Sequence, residues 1–187
     1  MDNKYYSFDS KGYLVTLAAV PKIFRDAINN QDFSEDGGKN IINQLIWNEY
    51  PSSVSFPIVF YIEDGKKVRN IVEMRHTSAF LISKEIKELF ESNGITGWKP
   101  YDIILYRKDG SIMEGYYGFT VTGTNSIDPN NPDYIPDFFH FYPKYGYIVC
   151  TQRVVDLLKK HKIKDFEIME INEQNCPHLI ECIVFPK

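Results

Sequence analysis

The sequence predicts an α+β domain, with two strand–helix–strand units around a mixed, mostly antiparallel sheet that includes hairpins. Three observations carry this. Residues 80–98, FLISKEIKELFESNGITGW, run from an apolar triplet through a hydroxyl residue into a helical-period pattern. Residues 148–166, IVCTQRVVDLLKKHKIKDF, repeat that order of residue types 68 positions on (80 to 148). Most of the remaining chain alternates short β-rich runs with Gly, Pro, Asn and Asp clusters. The 187 residues suit a single domain over 1–187, with 1–76 and 77–187 as candidate sub-regions. The second of these holds the degenerate repeat 80–98/148–166.

Taken in order, residues 12–19, GYLVTLAA, read as a strand. Pro21 suits the first turn of a short helix, PKIFRDAINN. Residues 30–40 are polar and glycine-containing, a loop. Ile41, Ile42, Leu45 and Ile46 recur at helical spacing, and Pro51 ends that helix. FPIVFYI and VRNIVEM flank EDGKK, an Asp-Gly hairpin signal. YDIILYR and YYGFTVTG flank KDGSIMEG and predict a second hairpin with a longer or bulged connection. Residues 124–137 hold three prolines among Asn and Asp and read as a stiff loop. FEIMEI and LIECIVF close the chain as strands.

The two copies agree in type along their length. Ser83 and Thr151 stand where a helix cap belongs, since a hydroxyl oxygen can accept from the free amides of the first turn. Ile86, Leu89 and Phe90 match Val154, Leu157 and Leu158 as one buried helix face. Gly94 can end the first helix in the left-handed conformation without a Cβ penalty. Lys162 occupies that place in the second copy, so that helix must end differently or carry roughly 1 kcal/mol of strain. Only Leu89/Leu157 and Ile95/Ile163 are identical, so duplication and convergence on one supersecondary unit both stay open.

Composition and motifs exclude several function classes. A net charge of −4 argues against a nucleic-acid binder working through a basic patch. The first ten residues lack the basic start and apolar run of a secretory leader. The longest apolar runs fall well short of the roughly 20 residues that span a bilayer. The expectation is therefore a cytoplasmic protein without a membrane partner. Three cysteines without CxxC spacing support neither a disulfide framework nor a zinc site, and Cys150 reads as a buried thiol. The four histidines lack HxH or HxxxH spacing, and the acids near Asn130 break the EF-hand pattern at Pro132. No GxSxG, GxxxxGK[ST] or GxGxxG motif occurs. No catalytic residue, metal or cofactor is assigned.

The segment LISKEIKELFESNGITGWKPYDI resembles one found in bacterial immunity-protein families of polymorphic toxin systems. The residues that carry the likeness are Ser83, Leu89, Ile95, Thr96, Gly97 and Trp98. YYGFTVTGTNSID, 116–128, is similar to the strand and Asp-containing turn that follow in those families. The resemblance implies a non-enzymatic protein that binds and occludes a cognate toxin, and it supplies no catalytic residues. The surface expected to do so is the acidic, aromatic segment DYIPDFFHFYPKYGY, 133–147, with seven aromatic rings in fifteen residues. The candidate partner-binding residues are Asp128, Asp133, Tyr134, Asp137, Phe139, His140 and Tyr142. Core-filling rings are the alternative for this segment. Two further function classes stand beside the first. One is a small-molecule binder or enzyme whose pocket uses His140, Asp137 and Tyr142. The other is a regulatory module that dimerises by strand pairing.

Overall fold

The structure, a computed structural model, describes residues 4–11, 16–30, 44–45, 50–51, 55–75, 79–123, 135–140, 147–172 and 174–175. The chain divides into two compact units. One comprises 1–11, 95–98 and 121–187; the other comprises 12–94 and 99–120. The sub-region boundary at 76 falls inside the second unit, between two strands that pair with each other.

The strands that lie wholly or mostly in the second unit are β2 (Ala18–Pro21), β3 (Ile58–Asp64), β4 (Ile71–Met74), β5 (Phe80–Ser83), β6 (Trp98–Tyr101), β7 (Ile103–Tyr106) and β8 (Tyr116–Val121). They form one sheet in the order β6-β8-β5-β4-β2-β3-β7. The edge strands β6 and β7 are consecutive in the chain, with Asp102 alone between them, so the sheet nearly closes into a barrel. Alternation along β3 puts Ile58, Phe60 and Ile62 inside with Val72, Met74, Leu81, Tyr101 and Leu105. β4 and β5 are buried almost throughout. On the face opposite Leu81, Phe80 stacks on Phe119 at 5.1 Å between ring centroids. Helix α1 (Lys22–Asn30) contacts β2 and β3; α2 (Lys84–Ser92) buries Ile86, Leu89 and Phe90 and contacts β5. Pro21 ends β2 instead of opening α1. Gln44 and Leu45 are helical, and the rest of the helix expected near 39–50 lies outside the described residues. So do residues 12–15 of the first expected strand and the strand LIECIVF.

Neither expected hairpin forms. β3 and β4 are separated by β2, which runs antiparallel to β3 and parallel to β4. The glycine of the Asp-Gly pair serves that insertion: a Cβ on Gly65 would sit 2.0 Å from the Thr16 carbonyl oxygen. β7 pairs in parallel with β3, while β8 pairs with β5. The turn after β7 folds back locally, through Arg107 N–H to Ser111 C=O at 2.8 Å and Met113 N–H to Leu105 C=O at 2.7 Å.

The first unit holds a four-stranded antiparallel sheet, β11-β1-β10-β9, from β1 (Tyr5–Ser10), β9 (Phe138–His140), β10 (Ile148–Thr151) and β11 (Phe166–Glu170). Helix α3 (Gln152–Lys160) buries Val154, Val155, Leu157 and Leu158 and contacts β10. Phe8 stacks on Phe166 at 4.5 Å and meets Phe138 edge-on at 5.0 Å.

The two copies are strand, helix and strand at identical offsets, and the likeness extends beyond them. In each unit the strand after the helix and the strand before it flank a third strand: β6-β8-β5-β4 in one, β11-β1-β10-β9 in the other. The intervening strands are near-identical at their starts, Tyr116-Tyr117-Gly118-Phe119 and Tyr5-Tyr6-Ser7-Phe8. Their registers agree: Tyr116 opposes Ser83, and Tyr5 opposes Thr151, the residue 68 places on. The endings of α2 and α3 agree too. Gly94 and Lys162 adopt φ of 58° and 57°. Lys162 N–H donates to Lys159 C=O and Ile163 N–H to Leu158 C=O, both at 3.0 Å, the two bonds of a Schellman ending.

Candidate functional site

Of the residues that carry the family resemblance, Thr96 meets a buried acid, Asp137, within the first unit. Asp137 is 5% exposed. Its Oδ2 accepts from Thr96 N–H at 3.0 Å, Thr96 Oγ1 at 3.2 Å and Arg153 Nη1 at 2.9 Å. Its Oδ1 accepts from Thr151 Oγ1 at 2.9 Å. The backbone repeats the link: Asp137 N–H donates to Thr96 Oγ1, Thr151 N–H to Asp137 C=O, and Phe138 N–H to Thr96 C=O, each at 3.0 Å. A buried carboxylate held by this many donors is satisfied in full and costs little to bury.

Gly97 follows with φ of 79°, and its C=O accepts from Thr122 N–H and Gly123 N–H at 2.9 and 3.1 Å. A Cβ at Gly97 would lie 1.9 Å from the Phe138 carbonyl oxygen, so only glycine fits here. Trp98 Nε1 donates to Ile95 C=O at 2.9 Å, closing the turn on itself. The two cap residues of the copies diverge at this site. Ser83 Oγ accepts from Ile86 N–H, as a cap should. Thr151 makes no such bond, because its hydroxyl is given to Asp137. The carboxylate it holds lies beside the first turn of α3, where a negative charge is favoured.

Asp137 and Phe139 thus serve the interior of their unit. Both were expected at a partner surface. Asp137 is buried by its own hydrogen-bond network, and Phe139 is 1% exposed with its ring edge-on to Tyr5 at 5.8 Å. His140 is half-buried on β9, opposite Ile148, with its N–H donating to Gly123 C=O at 3.0 Å. Asp128, Asp133, Tyr134 and Tyr142 lie outside the described residues. Tyr147, which closes the aromatic segment, is 44% exposed. Thr96, Thr151 and Arg153 are the site residues that sequence reading did not bring together. The resemblance marked Thr96, but no local pattern joins positions 96, 137 and 151.

The chemistry available is that of a structural clasp. Cys150 is fully buried, and burial together with the nearby Asp137 carboxylate pushes its thiol up, away from a thiolate nucleophile. Among the described residues no three His, Cys, Asp or Glu side chains are placed to hold a metal ion. No helix among them is long and apolar enough to cross a membrane. Neither a comparison with protein-family models nor one with curated proteins gives a match to this chain.

Proposed function

We propose that this chain is a non-enzymatic protein-binding module, a bacterial immunity protein that neutralises a cognate toxin by occlusion. The observation that carries the reading is the use made of Thr96, Gly97 and Trp98. These residues of the family-like motif are spent on internal hydrogen bonds, a scaffold role in keeping with families that are not defined by a catalytic site. The exposed Tyr147 ring, at the end of an acidic aromatic segment, fits protein contact. Asp137 is committed to four internal donors, which counts against a pocket in which it would receive a substrate. Co-expression with the product of a toxin-like reading frame adjacent to its gene tests the proposal. Restored growth and co-purification of the two proteins are expected. Neither rescue nor binding would sink it.

A further inference from the structure

The end of α3 differs from the end of α2 in charge and in backbone comfort. Lys159, Lys160, His161, Lys162 and Lys164 are all exposed, five basic side chains in six consecutive positions of a chain with net charge −4. On α2 the lysines are neutralised within the helix: Lys84 pairs with Glu88 at 3.6 Å and Lys87 with Glu91 at 2.8 Å. Among the described residues none of Lys159, Lys160, Lys162 and Lys164 forms an ion pair. Lys159 and Lys160 can be explained by the negative end of the helix dipole. Lys162 and Lys164 lie past the helix, and Lys162 holds a left-handed φ of 57°, where the other copy has glycine. A residue kept in a sparsely populated conformation, when the sister unit shows the unstrained solution, points to a use for its side chain.

We infer that Lys159, Lys160, Lys162 and Lys164 form a docking face for an acidic protein surface. This deepens the protein-binding reading above and rests on it, by naming the chemistry of the partner. Charge complementarity argues for an acidic partner. The form of the face argues for protein over nucleic acid. It contains no arginine for bidentate phosphate contacts and no aromatic ring for base stacking.

Binding of poly-L-glutamate and of a DNA oligonucleotide of equal charge, followed by fluorescence anisotropy across a salt titration, tests the inference. The wild type should bind poly-L-glutamate more tightly than the oligonucleotide, and salt should weaken that binding. K159E/K160E/K164E should lose about tenfold or more in affinity, and the control reversal K66E/K67E/K108E less than about twofold. Lys162→Gly should raise the melting temperature while weakening binding about twofold to threefold, and Lys162→Arg should keep the affinity. Equal losses from the two triple reversals would overturn the inference, as would preference for the oligonucleotide. So would a Lys162→Gly protein that gains stability with affinity unchanged. The growth assay separates this from the wider reading. If the wild type and K159E/K160E/K164E rescue equally, the docking face falls and the immunity reading stands. If the wild type fails to rescue while the poly-L-glutamate results hold, the immunity reading falls and the acidic-partner face stands.

Discussion

Removing the carboxylate of Asp137 strands at once the Thr96 amide and two hydroxyls in a site from which water is largely excluded, and it also takes the acceptor of the more exposed Arg153 guanidinium. Asp137→Ala should therefore destabilise the protein by about 2–4 kcal/mol, read as a shift of the denaturant midpoint. Asp137→Asn, which keeps one acceptor and turns an amide N–H₂ toward a donor, should recover part of that loss and no more. The sequence placed this acid on a surface because its neighbours, Pro136 and a run of rings, look like an irregular exposed loop. Its burial is set by Thr96 and Thr151, which arrive from distant points of the chain, so no local pattern could reveal it. Cys150 shows the opposite case. An apolar strand was enough to predict a buried thiol, and it is 0% exposed. Burial raises its pKa from 9.0, and burial likewise raises the Tyr101 phenol from 10.0. Above those ordinary values the unfolded chain loses protons that the folded protein keeps, so stability should fall as pH rises through 9 and 10. Cys150→Ala should delay the onset of that fall in pH-dependent denaturation. An unchanged onset would show that the thiol takes no part.

At the scale of elements, the pattern of apolar and hydroxyl residues located both helices of the two copies to the residue. Both begin immediately after the expected cap and bury the expected face. Amphipathic spacing and a capping hydroxyl are local properties, which is why they could be read without knowing the fold. The hairpins misled because an Asp-Gly pair reports a turn but says nothing about whether a third strand enters between the two it joins. Pairing was decided by the insertion of β2 beside Gly65, a contact between Thr16 and residues about fifty positions away. Equal cap residues also turned out to do unequal work. Ser83→Ala should cost about 1 kcal/mol through the α2 cap and the bond to Asn70 Oδ1. Thr151→Ala should cost a similar amount for a different reason, the bond to Asp137. A double-mutant cycle distinguishes the two explanations. Thr151→Ala should be less damaging by about 0.5–1.5 kcal/mol in an Asp137→Ala background, whereas an unchanged cost would place the Thr151 effect at the helix terminus alone.

At the scale of the whole molecule, the two units share one strand order but draw its third strand from different parts of the chain. β8 follows its helix, whereas β1 precedes everything else in its unit. An ungapped comparison at a fixed offset can find the strand–helix–strand segments, but it cannot find Tyr5-Tyr6-Ser7-Phe8 and Tyr116-Tyr117-Gly118-Phe119, which stand in reversed order relative to those segments. The likeness became visible only once register placed Tyr5 opposite Thr151 and Tyr116 opposite Ser83. This arrangement makes β1 the interior strand of its sheet, paired on one side with β10 and on the other with β11. Without it, those two strands lose each other as well as their partner, and Phe8 leaves its stack on Phe166. Deletion of residues 1–11 should therefore abolish slow amide exchange at β10 and β11, including Ser7's partners Val149 and Met169. Exchange at Leu81 and Ile82, which pair with β4 and β8, should remain protected. Adding a peptide of residues 4–11 in trans should restore protection to β10 and β11 in a concentration-dependent way. If the shortened protein instead keeps its protection at Val149, β1 is a peripheral strand energetically, and the sheet of this unit is held by α3 and the Asp137 clasp.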